Sequence, residues 1–146
     1  VTAKLLVVDE YGWARQVLCR ALERQGYDTR QVADLAELRQ LLRQPRPDWR
    51  PDLTLIELVR EHGNGFTAAA WLQAQGQGRV VLLSERADVA DRLWARSRGI
   101  EHMLSRAGGL DQLCAQLRCI LMGNRDKQHQ ASLPTHVKDP STESLS

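Results

Sequence analysis

Five side chains in this sequence have chemistry that a site could use: the neighbouring acids Asp9 and Glu10, the isolated acid Glu57, the hydroxyl of Ser84 and the guanidinium of Arg106. Each stands at or near the end of a short segment that reads as a strand, Leu5 to Val8, Leu53 to Leu58, Val80 to Leu83 or Ile100 to Ser105. The carboxylates offer oxygens, the serine offers a donor and an acceptor, and the arginine offers a planar fork that keeps its charge and matches a carboxylate. Glu57 and Arg106 are therefore natural partners, provided the chain brings them together.

The elements that would do so can be read from the apolar pattern. Lys4 to Val8 is a run typical of a strand buried on both faces, and it stops at Asp9-Glu10. From Trp13 to Gln25 the residues Ala14, Val17, Leu18, Ala21 and Leu22 recur at helical spacing, with Gly26 as a stop. Tyr27 to Val32 is a second strand, and Asp34 is placed to cap a helix carrying Leu35, Leu38, Leu41 and Leu42. Three prolines between Pro45 and Pro51 make that stretch a loop. A strand over Leu53 to Leu58, a turn at Glu61 to Gly65 and a helix from Phe66 to Gln75 follow. A fourth strand, Arg79 to Leu83, ends at Ser84, and a helix runs from Asp88 to Arg98 with Gly99 as its stop. Ile100 to Ser105 is the fifth strand, and Leu110, Leu113, Leu117, Ile120 and Leu121 mark a last helix ending near Gly123.

Strict alternation of strand and helix argues for an α/β protein with a doubly wound five-stranded parallel sheet, five helices covering both faces, and ligands at the carboxyl ends of the strands. All five side chains named above belong to that end. Residues 1–122 are expected to form the domain, and 123–146, polar and without helical period, a disordered tail or linker.

Composition removes several function classes. A net charge of +2 gives no field that would by itself select nucleic acid, and the polar tail is too short to be a DNA-binding output domain. Cys19, Cys114 and Cys119 are odd in number and lack paired spacing, which argues against zinc and a disulfide framework. No apolar run approaches the ~20 residues of a membrane helix and no signal peptide opens the chain, so a cytoplasmic location is expected, with no membrane partner. A flavin or nucleotide enzyme on this architecture would need a glycine-rich phosphate loop after the first strand, where Tyr11-Gly12-Trp13 stands instead.

The order acidic pair, carboxylate, hydroxyl, basic residue resembles the receiver domain of two-component response regulators. Leu6-Val7-Val8-Asp9-Glu10 is similar to that family's opening strand, Pro51-Asp52-Leu53-Thr54-Leu55-Ile56-Glu57 to its acceptor strand, and Gly65 to the glycine after the acceptor loop. The resemblance covers residues 3 to 122 and implies the flavodoxin-like strand order 2-1-3-4-5. It also implies an acidic pocket at Asp9 and Glu10, a phosphoacceptor position at Glu57, switch positions at Ser84 and Met103, and a lysine position at Arg106. In the family the acidic pair and the acceptor hold Mg²⁺, so Asp9, Glu10 and Glu57 are candidate ligands for a weakly held Mg²⁺, with no cofactor required.

The departures from that pattern carry the functional expectation. Glu57 replaces aspartate, and an acceptor displaced by about 1 Å can lose on the order of a hundredfold in rate. Its longer reach partly imitates a phosphoryl group. Arg106 replaces lysine, Ala107-Gly108-Gly109 the proline turn, and Met103 the coupling aromatic, while Glu61 and Asn64 differ from the usual proline and aspartate. Arg60 and Arg86 add positive charge near the pocket. These features imply a pseudo-receiver that signals by binding a protein, such as a histidine kinase, an output protein or a scaffold, or a second copy of itself, rather than by enzymic turnover. The alternative is a working Mg²⁺-dependent phosphoacceptor with a displaced acceptor site. Trp94, turned outward if Val89 and Leu93 form the buried stripe of its helix, is the candidate partner surface.

Overall fold

The computed structural model describes residues 2–43, 48–58, 64–76, 78–85 and 87–132, with side chains undescribed at 64 and over 124–132. The expectations at Arg60, Glu61 and Arg86, and the loop from Pro45 to Pro47, lie outside the described residues.

Five parallel strands form one sheet in the order β2-β1-β3-β4-β5: β1 Lys4–Val8, β2 Asp28–Val32, β3 Leu53–Glu57, β4 Arg79–Ser84 and β5 His102–Ser105. The helices are α1 Gly12–Arg24, α2 Leu35–Leu42, α3 Asn64–Gln75, α4 Val89–Ser97 and α5 Gly109–Ser132. This is the doubly wound, flavodoxin-like order expected from the sequence. Its first crossover leads outward from β1 to β2, and the chain then returns across β1 to build β3, β4 and β5 on the other side. The crevice at which the direction reverses therefore opens beside the ends of β1 and β3.

Successive strand side chains point to opposite faces. Leu6, Val8, Ile56 and Leu82 join one core cluster with Leu38 of α2, Ala68, Ala69 and Leu72 of α3 and Ala95 of α4. Leu5, Val7, Leu55, Val81 and Leu83 are as deeply buried and point the other way, and α1 packs against β1 and β2 through Leu18, Cys19 and Leu22. Trp49, within the proline-rich loop, is also core: its indole donates to Asp28 at 2.9 Å and Arg30 lies over its ring.

Local signals placed several boundaries. Asp34 caps α2, its carboxylate accepting from Glu37 N at 2.9 Å while Glu37 accepts in return from Ala33 N at 2.6 Å. Gly65 is required by close approach, because a Cβ there would collide with the carbonyl oxygen of Glu57.

The last helix differs from expectation. It continues past Gly123 to Ser132. Apolar periodicity marks a buried face rather than a helix, and the residues after Gly123 include arginine, lysine, glutamine and alanine, all good helix formers, with no proline before Pro134. Two units are distinguishable along the chain, Val1–Cys114 and Ala115–Ser146, the described part of the second being the remainder of α5. None of the three cysteines is in a disulfide, and among the described residues no helix is long and apolar enough to cross a membrane.

Candidate functional site

The ends of β1, β3 and β5 bring Asp9, Glu57 and Arg106 into contact. Arg106 Nε donates to Glu57 Oε2 at 2.7 Å, and Arg106 Nη2 donates to Asp9 Oδ2 at 3.2 Å. One guanidinium thus spans two carboxylates rather than gripping Glu57 with both prongs. Asp9 was readable as part of the acidic pair, but its direct bond to the arginine was not.

The backbone aims each group. Asp9 follows β1, its amide donating to Val32 O at 3.2 Å and its Oδ1 accepting from Tyr11 N at 2.9 Å. Glu57 is the last residue of β3, in register with Leu83 of β4. Arg106 follows β5, and its amide donates to Ser84 O at 3.0 Å. The small-residue turn after it is not slack: Ser105 Oγ accepts from Ala107 N and donates to Glu85 O, while Gly109, at φ 85°, donates to Arg106 O. These bonds turn Arg106 inward.

Arg15 is a contributor that the sequence pattern missed. It donates from Nη1 to the carbonyl of Asp9 at 2.7 Å and from Nε to Gln31 at 2.8 Å, so it braces the end of β1. The only available signal was its place in the first turns of α1, six residues after Asp9.

Burial sets the electrostatics. The side chain of Glu57 is 12% exposed, that of Asp9 1% and that of Arg106 28%. Burial pushes the Glu57 carboxyl up to about 7; the charge and hydrogen bond of Arg106 hold it down only in part, and Asp9 and Glu85 push it further up. Asp9 is likewise raised by burial, against the lowering effects of the Tyr11 amide, Arg106 and Arg15.

A cleft beside this cluster is bordered by Val8, Glu10, Asp34 and Gly65 as well as by Asp9 and Glu57. The space in it is about 10 Å³, roughly one water. Mg²⁺ needs near-octahedral oxygen geometry and keeps several waters. Among the described residues no group of three or more His, Cys, Asp or Glu is arranged to hold a metal. Asp9, Glu10 and Glu57 as they stand do not fit Mg²⁺, since the guanidinium lies between two of the three carboxylates.

Ser84 and Met103 take other places. Ser84 Oγ accepts from Ala87 N at 3.0 Å and donates to Asp91 Oδ2 at 3.3 Å, both buried, so its hydroxyl is committed to the start of α4. Ala87 pays for that turn with a positive φ of 52°, which only glycine adopts freely. Met103 is in the core cluster.

The stripe assigned to α4 needs correction. Val89 and Leu93 are 72% and 61% exposed, while Asp91 and Ala95 are buried. Trp94 is half-buried, its ring edge-on to Phe66 at 4.6 Å with Arg98 above it. The exposed apolar residues of α4 are therefore Val89 and Leu93, not Trp94. Choosing the stripe by hydrophobicity failed because Asp91 earns its buried place through the Ser84 bond.

A switch-point crevice with acids and an arginine at the strand ends is the site of a doubly wound α/β domain. The chain belongs to the response regulator receiver domain family, which matches residues 5–118. It is 26% identical over 124 residues to the DNA-binding response regulator MtrA of Mycobacterium leprae, a match covering 85% of this chain and 53% of that protein. It is 23% identical over 140 residues to the response regulator MprA of Mycobacterium bovis, covering 95% of this chain and 59% of the relative. The chain thus spans about half the length of the curated relatives it matches. Among solved structures, a CheY-like receiver domain from Methanospirillum hungatei superposes with a TM-score of 0.72 at 13% identity, covering 87% of this chain and 99% of that one. A Burkholderia pseudomallei response regulator with a phosphorylated aspartic acid, a calcium ion and citrate gives a TM-score of 0.66 at 21% identity, covering 90% of this chain and 75% of that one.

Proposed function

We propose that this receiver domain of two-component signalling works by binding a protein without being phosphorylated, with Glu57 at the acceptor position and Arg106 serving as the resident cation of the pocket. The observation that supports this most is the single guanidinium shared by Glu57 and Asp9. An acceptor carboxylate must present a free oxygen in line with the phosphorus. Glu57 gives Oε2 to a charge-assisted bond that fixes the orientation of its carboxylate, in a cleft with little room beside it for a phosphodonor. The carboxylates that would neutralise a metal already neutralise the arginine.

Receiver domains interact with histidine kinases as a family. For this chain a kinase, an output protein or a scaffold remains the partner class, and the role is that of a binding module rather than a catalyst. Incubation with Mg²⁺ and a small phosphodonor, followed by intact-mass measurement, should leave the mass unchanged. Stoichiometric gain of one phosphoryl group mapped to Glu57 would overturn the proposal and restore the relay reading.

A further inference from the structure

A second concavity is bordered by Arg106. It is a groove between the first turns of α1 and α5, walled by Trp13, Val17 and Leu18 on one side and Leu110 and Leu113 on the other, with Arg106 at its end. Its volume is about 180 Å³, and an apolar cavity of about 150 Å³ is enough to take benzene. The lining is mostly apolar with a single cation, the composition of a small-ligand pocket.

Two features say what would fill it. Trp13 is 80% exposed, in contrast to Trp49, Trp71 and Trp94, which all pack against the core. A bare indole beside Leu110 offers an aromatic wall to a ring. Arg106 has five N–H donors, of which Glu57 and Asp9 take one each. The Arg106 side chain is partly exposed and Arg106 is among the residues that line the groove, which sets a cation beside the apolar slot.

We infer that this groove binds a small organic acid, a single aromatic ring or branched aliphatic body carrying one carboxylate, with the body against Trp13 and Leu110 and the carboxylate on Arg106. Binding there is linked to the acidic crevice, because the ligand carboxylate, Glu57 and Asp9 share the charge of one guanidinium. The inference stands whether or not Glu57 accepts a phosphoryl group.

The test is titration of the full chain with phenylacetate, phenethylamine and 2-phenylethanol, read by NMR at the Trp13 indole and the Arg106 Nε–H. Phenylacetate should bind saturably and move both resonances, with the amine and the alcohol about tenfold weaker, as a charge-assisted contact requires. Trp13→Ala, at an exposed position that leaves the fold intact, should weaken phenylacetate, and Arg106→Gln should erase the preference of acid over alcohol. Equal binding of the three probes, or shifts confined to residues outside the groove, would overturn the inference. So would a concentration-dependent dimer with Trp13 at its interface, which would assign the groove to a second copy of the chain.

Discussion

Two clusters at the carboxyl end of the same sheet solve the problem of buried polarity differently. At the β1, β3 and β5 ends, two acids are held by one arginine, and burial still raises both of them. At the β4 end, the Ser84 hydroxyl is satisfied by an amide and a carboxylate within its own turn and α4. The first cluster joins three strands and its balance depends on protonation; the second is local. A pocket hydroxyl can follow events at a neighbouring carboxylate only if it is free to turn toward it, and here each group has its own partners. The lesson is that Glu57 and Ser84 belong to separable units.

The largest effect should come from removing the shared cation. Arg106→Ala leaves Asp9 and Glu57 buried without a counter-charge, and breaking a buried pair costs several kcal/mol; with the partial exposure of Arg106 and protonation of Glu57 as relief, a loss of about 2 to 3 kcal/mol is expected in urea unfolding at pH 8. A change within experimental error would show that the arginine is not the counter-ion of the cluster.

Next in size is the pH dependence. The folded Glu57 titrates at about 7, above its ordinary 4.5, so the native state holds the proton more tightly than the unfolded chain. Its contribution to stability is complete below the unfolded value and is lost as pH rises through the folded one. Stability should fall by about 1 to 3 kcal/mol from this group between those limits, and Glu57→Gln should flatten that slope. A slope unchanged in the variant would place the titration elsewhere.

Ser84→Ala should cost about 1 to 2 kcal/mol through the lost bonds to Asp91 and Ala87. It should leave the Glu57 slope untouched. Combining it with Glu57→Gln sharpens the comparison, since independent sites add within about 0.5 kcal/mol. A larger coupling in the double mutant would join the two clusters into one unit. The smallest effect is expected for Trp13→Ala, within about 0.5 kcal/mol by thermal or urea unfolding, because its side chain contributes little buried area.

Much of this architecture was legible because the central strands are clear apolar runs, although β2, with the polar sequence Asp28 to Gln31, is a weaker signal. Leu5 to Val8 and Val80 to Leu83 are short apolar runs ended by polar residues, and Gly26 and Gly99 stop helices at positive φ. The meeting of Glu57 and Arg106 followed from strand order and side-chain length. What was not legible depended on tertiary partners. Arg15 looks like any charged helix residue until Asp9 O is seen beside it, and Asp91 looks solvent-facing until Ser84 explains its burial. Trp49 sits in a loop whose prolines hide a core position, and α5 outlasts its apolar stripe because propensity alone carries it onward.

The central claim is that the guanidinium of Arg106, not a divalent ion, is the cation shared by Asp9 and Glu57. It is tested most directly by following the Arg106 Nε–H and the carboxyl carbons of Asp9 and Glu57 by NMR while Mg²⁺ is raised past physiological levels at constant ionic strength. The account predicts that the Arg106 resonance stays slowed in exchange and hydrogen-bonded, and that all three signals hold their positions. A saturable shift of both carboxyl carbons, accompanied by release of the Arg106 proton to solvent, would show that the ion displaces the arginine and would contradict the account.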